Sequence, residues 1–191
     1  MLRILWFTIF ICIFCLPITV VSRGSLPAAW AQAIYSQHEV KAQLIERFTR
    51  FIRWPKSVWD KNPENPFVIG LIGDAPLAPY LEALGKETLI KGKPLLVIYL
   101  QDLKEINKCQ LLFISGTEKK QLTKILNKTR DRPIVTVGDT EGFADKGVLI
   151  NFYHHGSNIR FEINHAAVRA SGLHFSSRLL RVAQIIDEGT N

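Results

Sequence analysis

The chain has 191 residues, 47% hydrophobic and 21% charged, with 24 Lys and Arg against 17 Asp and Glu and a net charge of +7. That composition excludes a disordered chain, and the length suits one ordinary domain able to bury about two-thirds of its unfolded surface. Of three cysteines, Cys12 and Cys15 fall at the extreme N-terminus, which excludes a disulfide framework and a cysteine-based zinc site.

The first element is an apolar run, Ile4 to Val21, behind the single charge of Arg3 and broken only by Thr8, Pro17 and Thr19. Such a run is a secretory leader or a short membrane anchor. Pro17 and the polar stretch Ser22-Arg23-Gly24-Ser25 favour the leader, and Ala29-Trp30-Ala31 has the small-x-small form of a cleavage site. Residues 1–31 are therefore expected to form a signal segment, with a retained anchor as the alternative, and 32–191 a single domain. Neither Cys12 nor Cys15 carries the small-residue context of a lipoprotein signal. Removing the segment takes away Arg3 and Arg23 and no acid, leaving +5. That charge favours acidic partners or membrane surfaces; without a concentrated basic stripe it does not indicate nucleic acid.

From Glu39 to Arg53, Val40, Leu44, Phe48, Phe51 and Ile52 recur at helical spacing, and Lys41, Arg47, Arg50 and Arg53 read as a basic outer face. Trp54-Pro55 ends this helix. After a loop at 60–66, the continuous run Phe67 to Ile72 predicts a strand buried on both faces, the signature of a parallel sheet. A helix over Pro76 to Leu84, strands at Pro94 to Leu100 and Cys109 to Ile114, a helix capped by Thr117 and carrying Leu122, Ile125 and Leu126, and a strand at Pro133 to Val137 continue the alternation. Val148 to Tyr153 and Asn158 to Ile163 predict a hairpin. Asn164 then caps a short helix, His165 to Ala170, closed by Gly172. Ser176 or Ser177 caps a last helix reaching Ile186. The fold class is α/β: one domain, a mostly parallel sheet flanked by helices, with a C-terminal hairpin and short closing helices.

Evidence for catalysis is thin. The glycines of Gly70-Leu71-Ile72-Gly73-Asp74-Ala75-Pro76 match neither nucleotide-binding fingerprint, and Ser115, Ser157, Ser176 and Ser177 lack a nucleophile elbow. Asp74 and Asp139 follow the first and fourth strands, so both can reach the carboxyl edge where ligands of parallel sheets bind; each also reads as a cap for the following turn or helix. His154-His155 reads as a solvated hairpin tip rather than a metal site, because neighbours on a strand point to opposite faces. Cys109, within an apolar run, reads as a buried small hydrophobe. No catalytic, cofactor or metal residue is assigned. What remains is a set of exposed-looking aromatic and basic residues: Trp54 and Trp59 around Pro55, and His174, Phe175, Arg178 and Arg181 around the last helix. Aromatics and Arg are the side chains enriched in interface cores, so binding is favoured over catalysis.

The run Lys41 to Pro55, ending in Phe51-Ile52-Arg53-Trp54-Pro55, resembles the opening signature of the YfiR/HmsC-like periplasmic proteins. The similarity continues through Phe67 to Asp74, Leu112 to Ser115, Val135 to Ala144 and Gly147 to Phe152. Its most specific block is Arg160-Phe161-Glu162-Ile163-Asn164, then Ala166-Ala167, Ser171-Gly172-Leu173 and Ser176 to Ala183. The resemblance implies a periplasmic repressor that binds the periplasmic sensor region of an inner-membrane diguanylate cyclase and lowers cyclic di-GMP and biofilm formation. An OmpA-like outer-membrane lipoprotein would sequester it, and a homodimer is admitted. The alternative is a periplasmic small-ligand sensor with its pocket near Asp74 and Asp139. The best-known members use paired cysteines, whereas the chain beyond the leader has Cys109 alone, so intramolecular disulfide control is not expected here.

Overall fold

The computed structural model describes residues 28–59 and 64–187, with side chains from residue 37 onward. Of the signal segment expected over residues 1–31, residues 1–27 lie outside the described residues, and 28–31 open the first helix. Among the described residues, no helix is long and apolar enough to cross a membrane.

The strands are β1 (Ile52–Arg53), β2 (Phe67–Ile72), β3 (Leu95–Tyr99), β4 (Leu111–Ile114), β5 (Val135–Gly138), β6 (Ile150–His155), β7 (Asn158–Asn164), β8 (His174–Phe175) and β9 (Gln184–Ile186). The helices are α1 (Ala28–Phe51), α2 (Ala78–Glu87), α3 (Leu122–Thr129), α4 (His165–Ala170) and α5 (Ser177–Val182). Seven strands form one sheet in the order β3-β2-β4-β5-β6-β7-β9, and β1 pairs separately with β8. The first five of the seven are mutually parallel; β7 runs antiparallel to β6, and β9 parallel to β7. The α/β sheet expected from the alternating pattern is thus present, with its hairpin between β6 and β7. Gly156, at φ 61°, takes the first position of the two-residue turn, where a positive φ is required.

Period-two geometry sorts the central strands between two layers. Phe67, Ile69, Leu71, Leu111, Phe113, Val135 and Val137 face a core closed by Ala42, Ile45 and Phe48 of α1, Ile52 of β1, and Ala78 and Leu81 of α2. Val68, Ile72, Leu112 and Ile114 face a second core with Ile106, Leu122, Ile125, Phe143 and Val148. Because both faces are covered, these strands read as unbroken apolar runs. Gly70 of β2 is the exception that packing demands: a Cβ there would lie 2.5 Å from the Cys109 sulfur. Cys109 is a free, buried thiol, as its apolar context implies, and burial pushes its pKa up to about 11.

Four local expectations are corrected. The buried apolar stripe of α1 is Ala42, Ile45 and Phe48, continued by Ile52 of β1, while Val40 and Phe51 are exposed, so the helix is rotated about its axis relative to the face drawn from its largest apolar residues. Lys41, read as part of the outer face, is buried. Thr117 lies inside a 3-10 turn, Gly116–Glu118, capped by Ser115, and α3 begins only at Leu122. The last helix stops at Val182, and Gln184–Ile186 leaves it to add β9 beside β7, where strand pairing satisfies backbone groups that a further helical turn would leave at the sheet edge. Asn164 and Ser176 do cap α4 and α5, accepting from the N–H of Ala167 at 2.7 Å and of Leu179 at 3.4 Å.

Phe48 joins α1 to the hairpin through Phe152, stacked at 5.8 Å, and Phe161 at 4.7 Å. Phe48→Ala is expected to cost about 3–5 kcal/mol in urea unfolding, because the rigid sheet beneath cannot collapse into the cavity.

Candidate functional site

The first candidate surface is assembled by the small β1–β8 sheet. Ile52 pairs with Phe175 and Arg53 with His174, and the Ser176 N–H donates to the Phe51 carbonyl at 2.9 Å. Two regions about 120 residues apart in sequence, the Trp54 turn and the His174–Arg181 segment, are thereby joined. The aromatic members turn inward rather than outward, correcting their exposed reading. Trp54 is 6% exposed, donates its indole N–H to the Gln110 carbonyl at 3.3 Å and stacks edge-on against Trp59 and Phe67. Phe175 is buried and Trp59 half-buried. Their role here is to set the surface from beneath, as aromatic bodies with one polar handle do. Arg53 and His174, paired on the same small sheet, are exposed, as are Arg178 and Arg181 of α5, the latter beside Leu44, Tyr153 and Arg160. Lys91 adds to this positive field: burial, and then the Arg53 charge, pull its pKa below the ordinary lysine value. Because Gln110 immediately precedes β4, this basic surface stands at the amino end of the parallel strands.

The second candidate lies at the opposite end. Asp74 and Asp139 follow the carboxyl ends of β2 and β5, as the sequence implied, at the side of the sheet where the order reverses around β2 and β4. Neither is a helix cap. The residue before α2 is Leu77, with no side-chain cap, and the Asp139 carboxylate instead accepts from the Lys41 ammonium at 2.8 Å. The Lys41 side chain is 8% exposed and that of Asp139 23%, so this pair ties α1 to the carboxyl edge in a largely dry setting. His38 sits one turn earlier. Its pKa is lowered first by burial and next by Lys41, against the opposing pull of Asp139 and Asp74, so both acids act on the same imidazole. The strand-end loops interlock here: the Thr117 hydroxyl accepts from the Asp74 N–H at 3.2 Å, and Gly73, at φ 80°, lies where any Cβ would strike Thr117.

Sequence reasoning found Asp74 and Asp139 and missed Lys41 and His38. The available signal was that Lys41 sits one position before Ala42, the first residue of the buried stripe.

Beside this edge a cavity of about 790 Å³ is lined by Asp139, Glu141, Asp145, Glu162, His154 and His155, among others. Its wall includes Asn151, fully buried, which donates to the Thr140 carbonyl and to Glu162. His154 and His155 end β6 and are both exposed; the tip itself is Gly156-Ser157. Among the described residues no three His, Cys, Asp or Glu side chains are grouped so as to hold a metal ion.

Residues 38–184 match the family model described as YfiR/HmsC-like. No curated protein matches the chain.

A double-mutant cycle with Lys41→Met and Asp139→Asn should give a coupling of about 1–3 kcal/mol in chemical denaturation, because each single change strands a partly buried charge. Since the folded pKa of His38 lies below its ordinary 6.5, the folded state binds the proton less well than the unfolded chain. The His38 contribution is therefore complete above that value and declines as pH falls below it. Thermal melts at falling pH should show His38→Gln losing less stability than the parent protein.

Proposed function

Because the chain belongs to the YfiR/HmsC-like family, we propose that it is a periplasmic repressor of an inner-membrane diguanylate cyclase and binds that enzyme's periplasmic sensor region. The family is known for periplasmic regulators of diguanylate cyclases, and it is regulatory rather than catalytic. The observation that supports carrying the reading to particular residues is the β1–β8 pairing, which brings the chain around Trp54 and Trp59 beside His174 and Phe175; Arg178 and Arg181 follow on α5, Arg181 beside Leu44 and Arg160. In this scheme the buried aromatics fix the shape of the surface, and Arg178 and Arg181 donate to acidic groups of the partner. Repression requires tighter binding to the inactive form of the cyclase, and a difference of about 1–3 kcal/mol changes its activity appreciably. An OmpA-like outer-membrane lipoprotein that occupies the repressor would release the enzyme and raise cyclic di-GMP and biofilm formation.

A second reading is favoured by the convergence of Asp74, Asp139 and Lys41 around His38: a small-ligand sensor with its pocket at the carboxyl edge. A ligand bound only to the native state would raise the melting temperature in a metabolite screen.

Deletion of the gene in its host should raise cellular cyclic di-GMP, and restoration of the exported protein should lower it again. A folded Arg178→Glu, Arg181→Glu double variant should restore little or no repression, since both donors become like charges toward an acidic partner. Full repression by that variant would remove the proposed surface, whereas no response to deletion, with the protein shown to be expressed, would remove the repressor reading.

A further inference from the structure

Charge is divided unevenly between the two faces of the large sheet. From Asp102 to Arg132 the chain carries eight Lys and Arg against four Asp and Glu, an excess of +4, most of the +5 that remains beyond residue 31. These residues build the layer over the second core: a 3-10 helix, Leu103–Lys108, buries Ile106 there, and α3 buries Leu122 and Ile125. Arg132, just past α3, donates to the Asn107 side chain, so the two elements form one surface. It lies on the opposite side of the sheet from α1, which closes the first core.

The lysines of this layer are arranged at a local cost. Lys124 and Lys128 stand one turn apart on the outer side of α3, and Lys120 precedes Lys124 by the same interval; all three are exposed, as is Lys119. Like charges at that spacing destabilise a helix. Elsewhere the chain answers the same spacing with opposite charges, Glu46 before Arg50 on α1 and Glu82 before Lys86 on α2. Among the described residues none of Lys119, Lys120, Lys124 and Lys128 has a carboxylate within ion-pair distance. The acid next to them in sequence, Glu118, accepts instead from the Gln121 side chain at 3.2 Å. Leu96, 44% exposed, projects from the same sheet face, because alternation along β3 places it with Ile98 and Leu100 of the second core.

We propose that this lysine face rests on a bilayer surface of anionic phospholipid. Charge complementarity selects that occupant. A headgroup layer is a plane of mobile negative charge that separate ammonium groups can share without fixed geometry, and Lys supplies compact point charges, whereas the planar fork of Arg suits fixed bidentate partners. An anionic plane also relieves the repulsion among Lys120, Lys124 and Lys128, which no acid of the chain does. Leu96 adds an apolar contact suited to the boundary between headgroups and acyl chains, where a nucleic-acid backbone would offer it only phosphate and sugar. The attraction is electrostatic, so it is reversible and falls away within about 8–10 Å at moderate salt. Held in this way, the domain turns α1 and the first core away from the bilayer. The inference goes beyond both functional readings and rests on neither.

The test is co-sedimentation of the purified full chain with phosphatidylcholine vesicles, with and without phosphatidylglycerol, circular dichroism verifying the fold of each variant. The apolar run Ile4 to Val21 meets both kinds of vesicle alike, so the difference between them reads charge. The parent protein should bind the anionic vesicles about tenfold or more tightly than the neutral ones, and high salt should release it. Combining Lys120→Glu, Lys124→Glu and Lys128→Glu should abolish that preference, and the milder set Lys120→Gln, Lys124→Gln and Lys128→Gln should reduce it severalfold. Combining Lys56→Glu, Lys86→Glu and Arg169→Glu, an equal reversal at exposed positions outside this layer, should leave most of it. Equal binding to the two vesicles overturns the proposal, as does a preference that either folded lysine set retains in full or that the control set loses equally. Tighter binding to duplex DNA than to anionic vesicles overturns it too, assigning the face to nucleic acid.

Discussion

The organisation of the domain depends on α1 being fastened across the sheet at both ends. Near its start, the Lys41–Asp139 ion pair ties it to the carboxyl edge; just past its end, the Trp54 indole bonds to the chain entering β4 at the amino edge. Between those ties the stripe Ala42, Ile45, Phe48 and Ile52 seals one face of the sheet. Apolar burial supplies most of the attraction but is non-directional, and a helix on a sheet can slide or rotate with modest loss. The two polar ties supply direction. They fix which face of α1 is inward, and through β1 they decide where β8 and α5 can lie.

The same arrangement separates charge. Arg53 and His174 pair at the amino end with Arg178 following at the start of α5, whereas Asp74, Asp139, Glu141 and Asp145 collect in loops at the carboxyl end. A chain whose overall charge is only moderate thus presents two faces of opposite character. A partner that is acidic and one that is basic would approach different ends, and at physiological ionic strength each would feel the near end far more than the distant one.

Much of this was legible in the residues, for identifiable reasons. The strands β2, β4 and β5 announced themselves because burial on both faces demands continuous apolar runs, and the caps Asn164 and Ser176 because a hydroxyl or amide before a helix has one strong local use. Local pattern failed where tertiary contact decided the outcome. Val40 and Phe51 are larger and more apolar than Ala42, yet the close approach of α1 to the sheet selects the smaller residue. Lys41 looks solvated until its partner, 98 positions away, is known. Ile185 and Ile186 continue a helical stripe on paper, but the free side of β7 gives their backbone a better set of partners. The aromatics of the candidate surface, read as exposed, are buried or half-buried, since Trp and Phe suit a core and an interface equally well.

Cys109 carries a consequence for how the domain withstands oxidation. Its sulfur is packed over Gly70, away from water, and its proton is held so firmly that almost no thiolate exists at neutral pH. Among the described residues there is no second thiol for it to meet. Within the described residues, therefore, no cysteine pairing has to be made, proofread or reshuffled. Whatever oxidants the surroundings contain find an interior without a handle, and the domain reaches and keeps its native form on packing alone.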